Sequence, residues 1–271
     1  MGVMLKQLDS WPVGAVSAAV VSDGQVIETS GDTDQVFALA SVTKLLAAHA
    51  VLVAIEEGAI ELDQPAGPPG ATVRHLLAHA SGLDFGSLET VAGPGEQRVY
   101  SSAGFEVLAE LIGTEADIVF DEYLAQAVCE PLGMTSTALQ GSAGHGAHST
   151  VADLAAFAGE LLAPALVSTE LFAEATSVQF PGLDGFVPGY GKHRPCDWGL
   201  GYEIRSHKNP HWTGSRNSPG TFGHFGQSGT FLWVDPALSA ACVVLTDRPF
   251  GAWAKPLWSE FNDSIVEALS R

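Results

Sequence analysis

Residues 36–55 read Val36-Phe37-Ala38-Leu39-Ala40-Ser41-Val42-Thr43-Lys44-Leu45-Leu46-Ala47-Ala48-His49-Ala50-Val51-Leu52-Val53-Ala54-Ile55, and Lys44 is the only formally charged side chain among them. From Ser41 to Glu57 the pattern is helical, and Gly58 is a natural C-terminal stop. A helix apolar on all sides is a buried helix. An ammonium group inside it is costly unless it is paired or gives up its proton. Desolvation lowers a lysine pKa, so Lys44 is a candidate general base near neutral pH. Ser41 stands three residues earlier, one turn away on the same face, where the helix begins with free N–H groups and its positive dipole end. Nucleophile, base and one oxyanion donor therefore fit into four residues. Two plainer roles compete: Ser41 as a helix cap, and Lys44 with its amine carried out to water along its alkyl stem.

Outward from this helix, the chain begins with strand-like sequence. Residues 13–21 are small and β-branched, Asp23-Gly24 marks a turn, and 25–29 return as the second arm of a hairpin. Helices are expected after Thr72, over Ala103–Ile112, over about Asp117–Cys129, and from the Thr150–Asp153 capping box to about Leu162. Residues 181–223 are rich in Gly and Pro and read as long loops. Strands return at Thr230–Val234 and Ala240–Thr246, and an amphipathic helix over about Pro256–Ser270 follows. The order predicts an α+β class, one domain over residues 1–271. Both chain ends build an antiparallel sheet (about 1–36 and 197–271), and the middle (about 37–196) forms a helical lobe.

Two further segments carry chemistry. Tyr100-Ser101-Ser102 follows a Gly-rich loop and precedes an apolar helix; a Tyr hydroxyl held near a lysine can shuttle a proton, although an ordinary helix start would look the same. Gly223-His224-Phe225-Gly226-Gln227-Ser228-Gly229 runs into the strand at Thr230, where glycines let the backbone approach a ligand and offer amide N–H groups; the plainer alternative is a turn with a solvent-facing His224.

Together these three segments resemble the serine β-lactamase and penicillin-binding protein superfamily, and most of all its class C-type branch, which includes D-alanyl-D-alanine carboxypeptidases and carboxylesterases. Leu76-Leu77-Ala78-His79-Ala80-Ser81-Gly82-Leu83, Pro131-Leu132-Gly133-Met134 and Trp198-Gly199-Leu200-Gly201 are similar to the same family. The resemblance runs from about Val13 to the C-terminal helix. It implies a β-lactamase/transpeptidase-like fold and acyl transfer through an acyl-enzyme on an amide, β-lactam or ester carbonyl. Ser41 takes the nucleophile's place, Lys44 the base's and Tyr100 the proton relay's. His224-Phe225-Gly226 takes the place of the family's Lys-Thr-Gly, and the N–H groups of Ser41 and Gln227 that of the oxyanion hole. Ser102 stands where the second motif ends in Asn, and His224 where the third begins with Lys. An imidazole is mostly neutral at pH 7, so its attraction for a substrate carboxylate is weak. Two alternatives follow from those departures: a small-ester carboxylesterase, and a non-catalytic ligand binder on the same fold.

The resemblance implies a small-molecule substrate, and composition argues against nucleic acid as a partner. Charged residues make up 16% of the chain, and 12 basic against 31 acidic residues give −19 at pH 7; a phosphate backbone would be repelled. No apolar run reaches the ~18 residues of a membrane span. Lys6 and the small residues at 17–19 faintly suggest a leader, but Asp9 interrupts the pattern, and a cytoplasmic location is expected. Cys129, Cys196 and Cys242 form no disulfide framework. His145/His148 and His207/His211 lack further suitably spaced ligands, so neither a metal nor another cofactor is expected.

Overall fold

Continuous apolar runs explain the central sheet. The structure, a computed structural model, describes residues 4–271. In chain order its strands and helices are β1 (Val16–Ser22), β2 (Gln25–Ser30), β3 (Phe37–Ala38), α1 (Thr43–Glu56), α2 (Val73–Leu77), α3 (Ala103–Glu115), α4 (Phe120–Leu124), β4 (Ala138–Leu139), β5 (Ala147–Ser149), α5 (Val151–Leu162), α6 (Thr169–Ala175), β6 (Gly185–Val187), β7 (Gly191–His193), β8 (Glu203–Ile204), β9 (Phe222–Gly226), β10 (Thr230–Asp235), β11 (Ala240–Thr246) and α7 (Ala254–Leu269). The fold is α+β. Six strands pair antiparallel in the order β2-β1-β11-β10-β9-β8, so sequence from both halves of the chain meets in one sheet.

Both faces of that sheet are covered. Ala19, Val21, Leu232, Val234, Ala241, Val243 and Leu245 pack with α1 and α5, whereas Ala18, Val20, Phe231, Trp233, Cys242 and Val244 pack with Trp258, Phe261 and Ile265 of α7. This is why 18–21 and 240–245 read as unbroken apolar runs rather than as alternation. Helix α1 is buried from Thr43 through Ala54, with α3 and α4 among its neighbours.

Three sequence expectations need adjusting. Residues 181–223 contain the hairpin β6–β7 and the edge strand β8 rather than loops alone. The helix expected over Asp117–Cys129 is α4 followed by a wider turn of helix over Ala125–Cys129. Residues 222–226 are a strand inside the sheet, with Leu232 opposite His224; a solvent-facing histidine is excluded, because His224 is buried. The Thr150–Asp153 cap is present, with the Asp153 N–H donating to the Thr150 hydroxyl at 3.1 Å. Among the described residues no helix is long and apolar enough to cross a membrane.

Candidate active site

Ser41 lies in a single 3-10 turn, Ala40–Val42, between β3 and α1. Ala40 holds a left-handed backbone, φ 45°, which is uncommon for a residue with a side chain. The turn is clamped from the sheet, since the Thr230 hydroxyl donates to the Leu39 carbonyl at 2.9 Å. Gly226 makes the approach possible: a Cβ there would lie 2.3 Å from the Leu39 carbonyl oxygen and 3.2 Å from the Ala40 Cβ. The glycine of the third segment thus lets the end of β9 close on the Ser41 turn.

One helical turn beyond Ser41, Lys44 is fully buried. Its Nζ lies 3.5 Å from Ser41 Oγ, 3.0 Å from Ser102 Oγ and 2.8 Å from the Gly144 carbonyl oxygen, and 4.8 Å over the Tyr100 ring. Burial lowers its pKa to about 7, against a smaller opposing pull from the Glu106 carboxylate. The alkyl stem therefore does not carry the amine to water. The three polar partners also constrain the neutral amine. Gly144 offers only an acceptor, so it takes one N–H; with the second N–H on Ser102 Oγ, the lone pair is left for the Ser41 hydroxyl proton.

The Tyr100-Ser101-Ser102 segment enters α3 without a side-chain cap from Ser102, whose hydroxyl is turned to Lys44 instead. Ser101 does the local work: its hydroxyl donates to the Asp84 carbonyl at 2.6 Å and accepts from the Gly104 N–H at 3.1 Å. Behind the segment, buried His79 accepts the Ser101 N–H at Nδ1, 3.1 Å away, and packs 4.7 Å from the Tyr100 ring. Burial, with Lys44 and His224 next, holds its pKa well below the usual histidine value.

The hydrogen bonds of His224 settle its tautomer. Nδ1 lies 2.6 Å from the Phe225 carbonyl oxygen, which only accepts, so Nδ1 carries the proton. Nε2 then accepts from the Tyr100 hydroxyl at 3.2 Å. Burial lowers the His224 pKa to about 3, so the ring is neutral across the physiological range. Tyr100 points its proton at His224 and keeps its oxygen lone pairs for its other neighbours. Burial raises its phenol pKa far above the ordinary range, and the Ser41 hydroxyl offsets part of that.

Ser41, Lys44, Tyr100, Ser102, His224 and Gly226 are thereby gathered at the junction of α1, α3 and the end of β9, and Gln227 follows directly after that strand. Sequence reasoning missed the Gly144 carbonyl and its support. Glu106 accepts from the Ser142 hydroxyl and, at 3.4 Å, from the Gly144 N–H, bracing the loop that presents this carbonyl to Lys44. The signal available was Glu106 one turn after Ser102 on the apolar helix. Also missed was a charged cluster under β8. Glu203 is buried with Lys208 Nζ at 3.2 Å, His211 Nε2 at 3.2 Å and Trp212 Nε1 at 2.7 Å, and Lys208 and His211 hold its carboxyl far below the usual range. His211 belongs to this cluster, and among the described residues no group of three His, Cys, Asp or Glu is placed to hold a metal.

An antiparallel sheet backed by α7, with a serine at the mouth of a buried helix and a lysine one turn on, defines the serine β-lactamase-like class of fold. Residues 12–265 match the family model described as Beta-lactamase, and the chain belongs to that family. It is similar to a β-lactamase from Mycobacterium bovis, with 58% identity, a TM-score of 0.98, and 99% of this chain and 100% of that one covered. EstCE1, described as a hydrolase with promiscuous acyltransferase activity, shares the fold at 17% identity and a TM-score of 0.79, over 97% of this chain and 96% of that one. The D-alanyl-D-alanine-carboxypeptidase/endopeptidase AmpH of Escherichia coli is 24% identical over 169 residues, 44% of each chain. The matched stretch thus spans less than half the length of that curated relative.

Proposed function

We propose that the protein is a serine hydrolase working through an acyl-enzyme on Ser41. The observation that carries this is the placement of Lys44 Nζ, buried and shared among Ser41, Ser102 and Gly144. Ser41 Oγ gives its proton to the neutral amine and attacks the substrate carbonyl. The developing oxyanion is met by the N–H groups of Ser41 and Gln227, a reading supported by the close packing of Gly226, next to Gln227, on the turn that carries Ser41. Lys44 then gives the proton to the Tyr100 oxygen as the Tyr100 O–H turns from His224 Nε2 and passes its own proton to the leaving group. Water attacks the acyl-enzyme in the second half-reaction, and the same groups return the proton to Ser41.

Among carbonyl substrates, a neutral ester is favoured over a carboxylate-bearing β-lactam or peptide. His224 stands in the third segment as a buried neutral ring with both nitrogens engaged, so it presents no cation to a substrate. Similarity to the M. bovis β-lactamase supports the broader reading, acyl transfer on an amide, β-lactam or ester carbonyl.

The two are separated by incubating the protein with a fluorescent penicillin and with a short-chain nitrophenyl ester and recording the intact mass. Ester turnover with a Ser41→Ala-sensitive adduct is the expected result; a stable penicillin adduct would move the assignment to a penicillin-recognising enzyme. Neither adduct nor turnover from the folded protein would leave a ligand binder.

A further inference from the structure

On the α7 side of the sheet a second cavity, of about 470 Å³, opens between the turn of the β6–β7 hairpin, the 205–215 loop that follows β8, and the first turn of α7. Its volume is in the usual range for small-molecule sites. None of the residues gathered around Ser41 lines it. Arg205, His207, Lys208, His211 and Lys255 do, and among the described residues no Asp or Glu joins them. In a chain of 31 acidic against 12 basic residues, that reverses the overall balance. A cleft walled by one sign of charge focuses the field and concentrates counter-ions.

Lys208 is already matched. Its Nζ pairs with Glu203 at 3.2 Å and donates to the carbonyls of Asp197 and Ile204. Arg205 and Lys255 differ, since among the described residues neither forms a salt bridge. The Nε–H of Arg205 and one N–H on each Nη donate to the carbonyls of Gly214, Ser206 and Ser215. One N–H on each Nη remains without a protein acceptor among the described residues. Asp263 and Asp235 act on Arg205 through space only. Lys255 is exposed and lies 5.6 Å over the Tyr190 ring.

The position of Lys255 is unfavourable in isolation. It is the second residue of α7, where the helix presents its positive dipole end. The first turn of α7 holds no acidic residue and no side-chain cap. An anion beside Lys255 answers the ammonium and the helix end together. Tyr190 supplies an independent observation. It lines the same cavity, is only 7% exposed, and its hydroxyl has no hydrogen-bond partner among the described residues. A buried polar atom without a protein partner is commonly satisfied by an ion or a water.

We infer that this cavity is an accessory site for an oxyanion, the phosphate or carboxylate group of a small molecule, held between Arg205 and Lys255 beside Tyr190. The inference does not depend on the chemistry of Ser41.

The full chain is titrated with inorganic phosphate and, separately, with malonate, at an ionic strength held constant with sodium chloride, and followed by ¹H–¹⁵N spectra. The expected result is saturable shifts with at least one of the two, centred on residues 205–215, the β6–β7 turn and the first turn of α7. The anion that saturates identifies the group. Lys255→Gln should weaken the dissociation constant by about fivefold, the scale of one exposed ion pair, and Lys255→Arg should restore it. Lys6→Gln removes another exposed cation and should leave the constant unchanged. Shifts that never saturate with either anion, saturable shifts centred elsewhere, a parent-like constant in Lys255→Gln, or equal weakening in Lys6→Gln would overturn the proposal.

Discussion

Gly144 places its carbonyl oxygen 2.8 Å from the Nζ of Lys44, across a hundred residues of chain. That contact decides how the amine can be used. It removes one N–H from the choices open to Lys44 and directs the lone pair to a hydroxyl. Substituting Gly144 by Ala would set a Cβ 3.0 Å from the Ser102 Cβ and 3.2 Å from the Ser102 carbonyl oxygen, so the loop has to retreat. Acylation of Ser41 should slow on the order of tenfold while the fold survives, at about 1–3 kcal/mol of stability. Stopped-flow labelling with an activated ester, next to thermal unfolding, checks both.

Lys44 should set the alkaline-activating limb of the pH–rate profile. Its pKa is lowered to about 7, and only the neutral amine accepts the Ser41 proton, so acylation rises with pH through about 7 and then levels. Lys44→Ala should cost on the order of 10²–10⁴-fold in acylation rate. A variant that acylates at the parent rate removes Lys44 from the chemistry.

Glu106 raises the Lys44 pKa, so Glu106→Gln should move that limb to lower pH. The same change weakens the brace on the 142–144 loop, so the plateau rate should also fall. A purely structural role would lower the plateau and leave the midpoint where it was.

His224 makes folding sensitive to acid. Its pKa is about 3 in the folded protein against 6.5 when unfolded, so between these values the unfolded chain binds the extra proton. Stability therefore falls as pH drops from 6.5 towards 3. Replacing His224 with Gln should flatten that part of the pH–stability curve, and ¹⁵N spectra of the parent should keep the Nδ1–H tautomer down to about pH 4.

The Glu203–Lys208 pair is fully enclosed. Glu203→Leu leaves the Lys208 ammonium without its counter-charge and should cost about 3–5 kcal/mol, whereas Glu203→Leu/Lys208→Met should recover much of it. Urea titrations of the three proteins provide the comparison.

The parts of this site that were legible in the sequence are those written in side chains at short spacing. Ser41 and Lys44 are one helical turn apart in an otherwise uncharged run, and Tyr100-Ser101-Ser102 sits at a helix start. The sheet was legible because the apolar runs at 18–21 and 240–245 are continuous. Gly144 was not, because a backbone carbonyl leaves no residue-type signal and the loop is brought in from far along the chain. His224 was visible, but its strand was hidden, since Gly223 and Gly226 on either side read as turn residues. Strands β6, β7 and β8 are two or three residues long, too short for any period to emerge.

Because β9 is held between β10 and β8, the histidine that engages Tyr100 arrives only after the last third of the chain has taken its place. A partly synthesised or clipped polypeptide carries Ser41 without the partners that tune it. The arrangement around Ser41 is therefore complete only when both halves of the chain are in place.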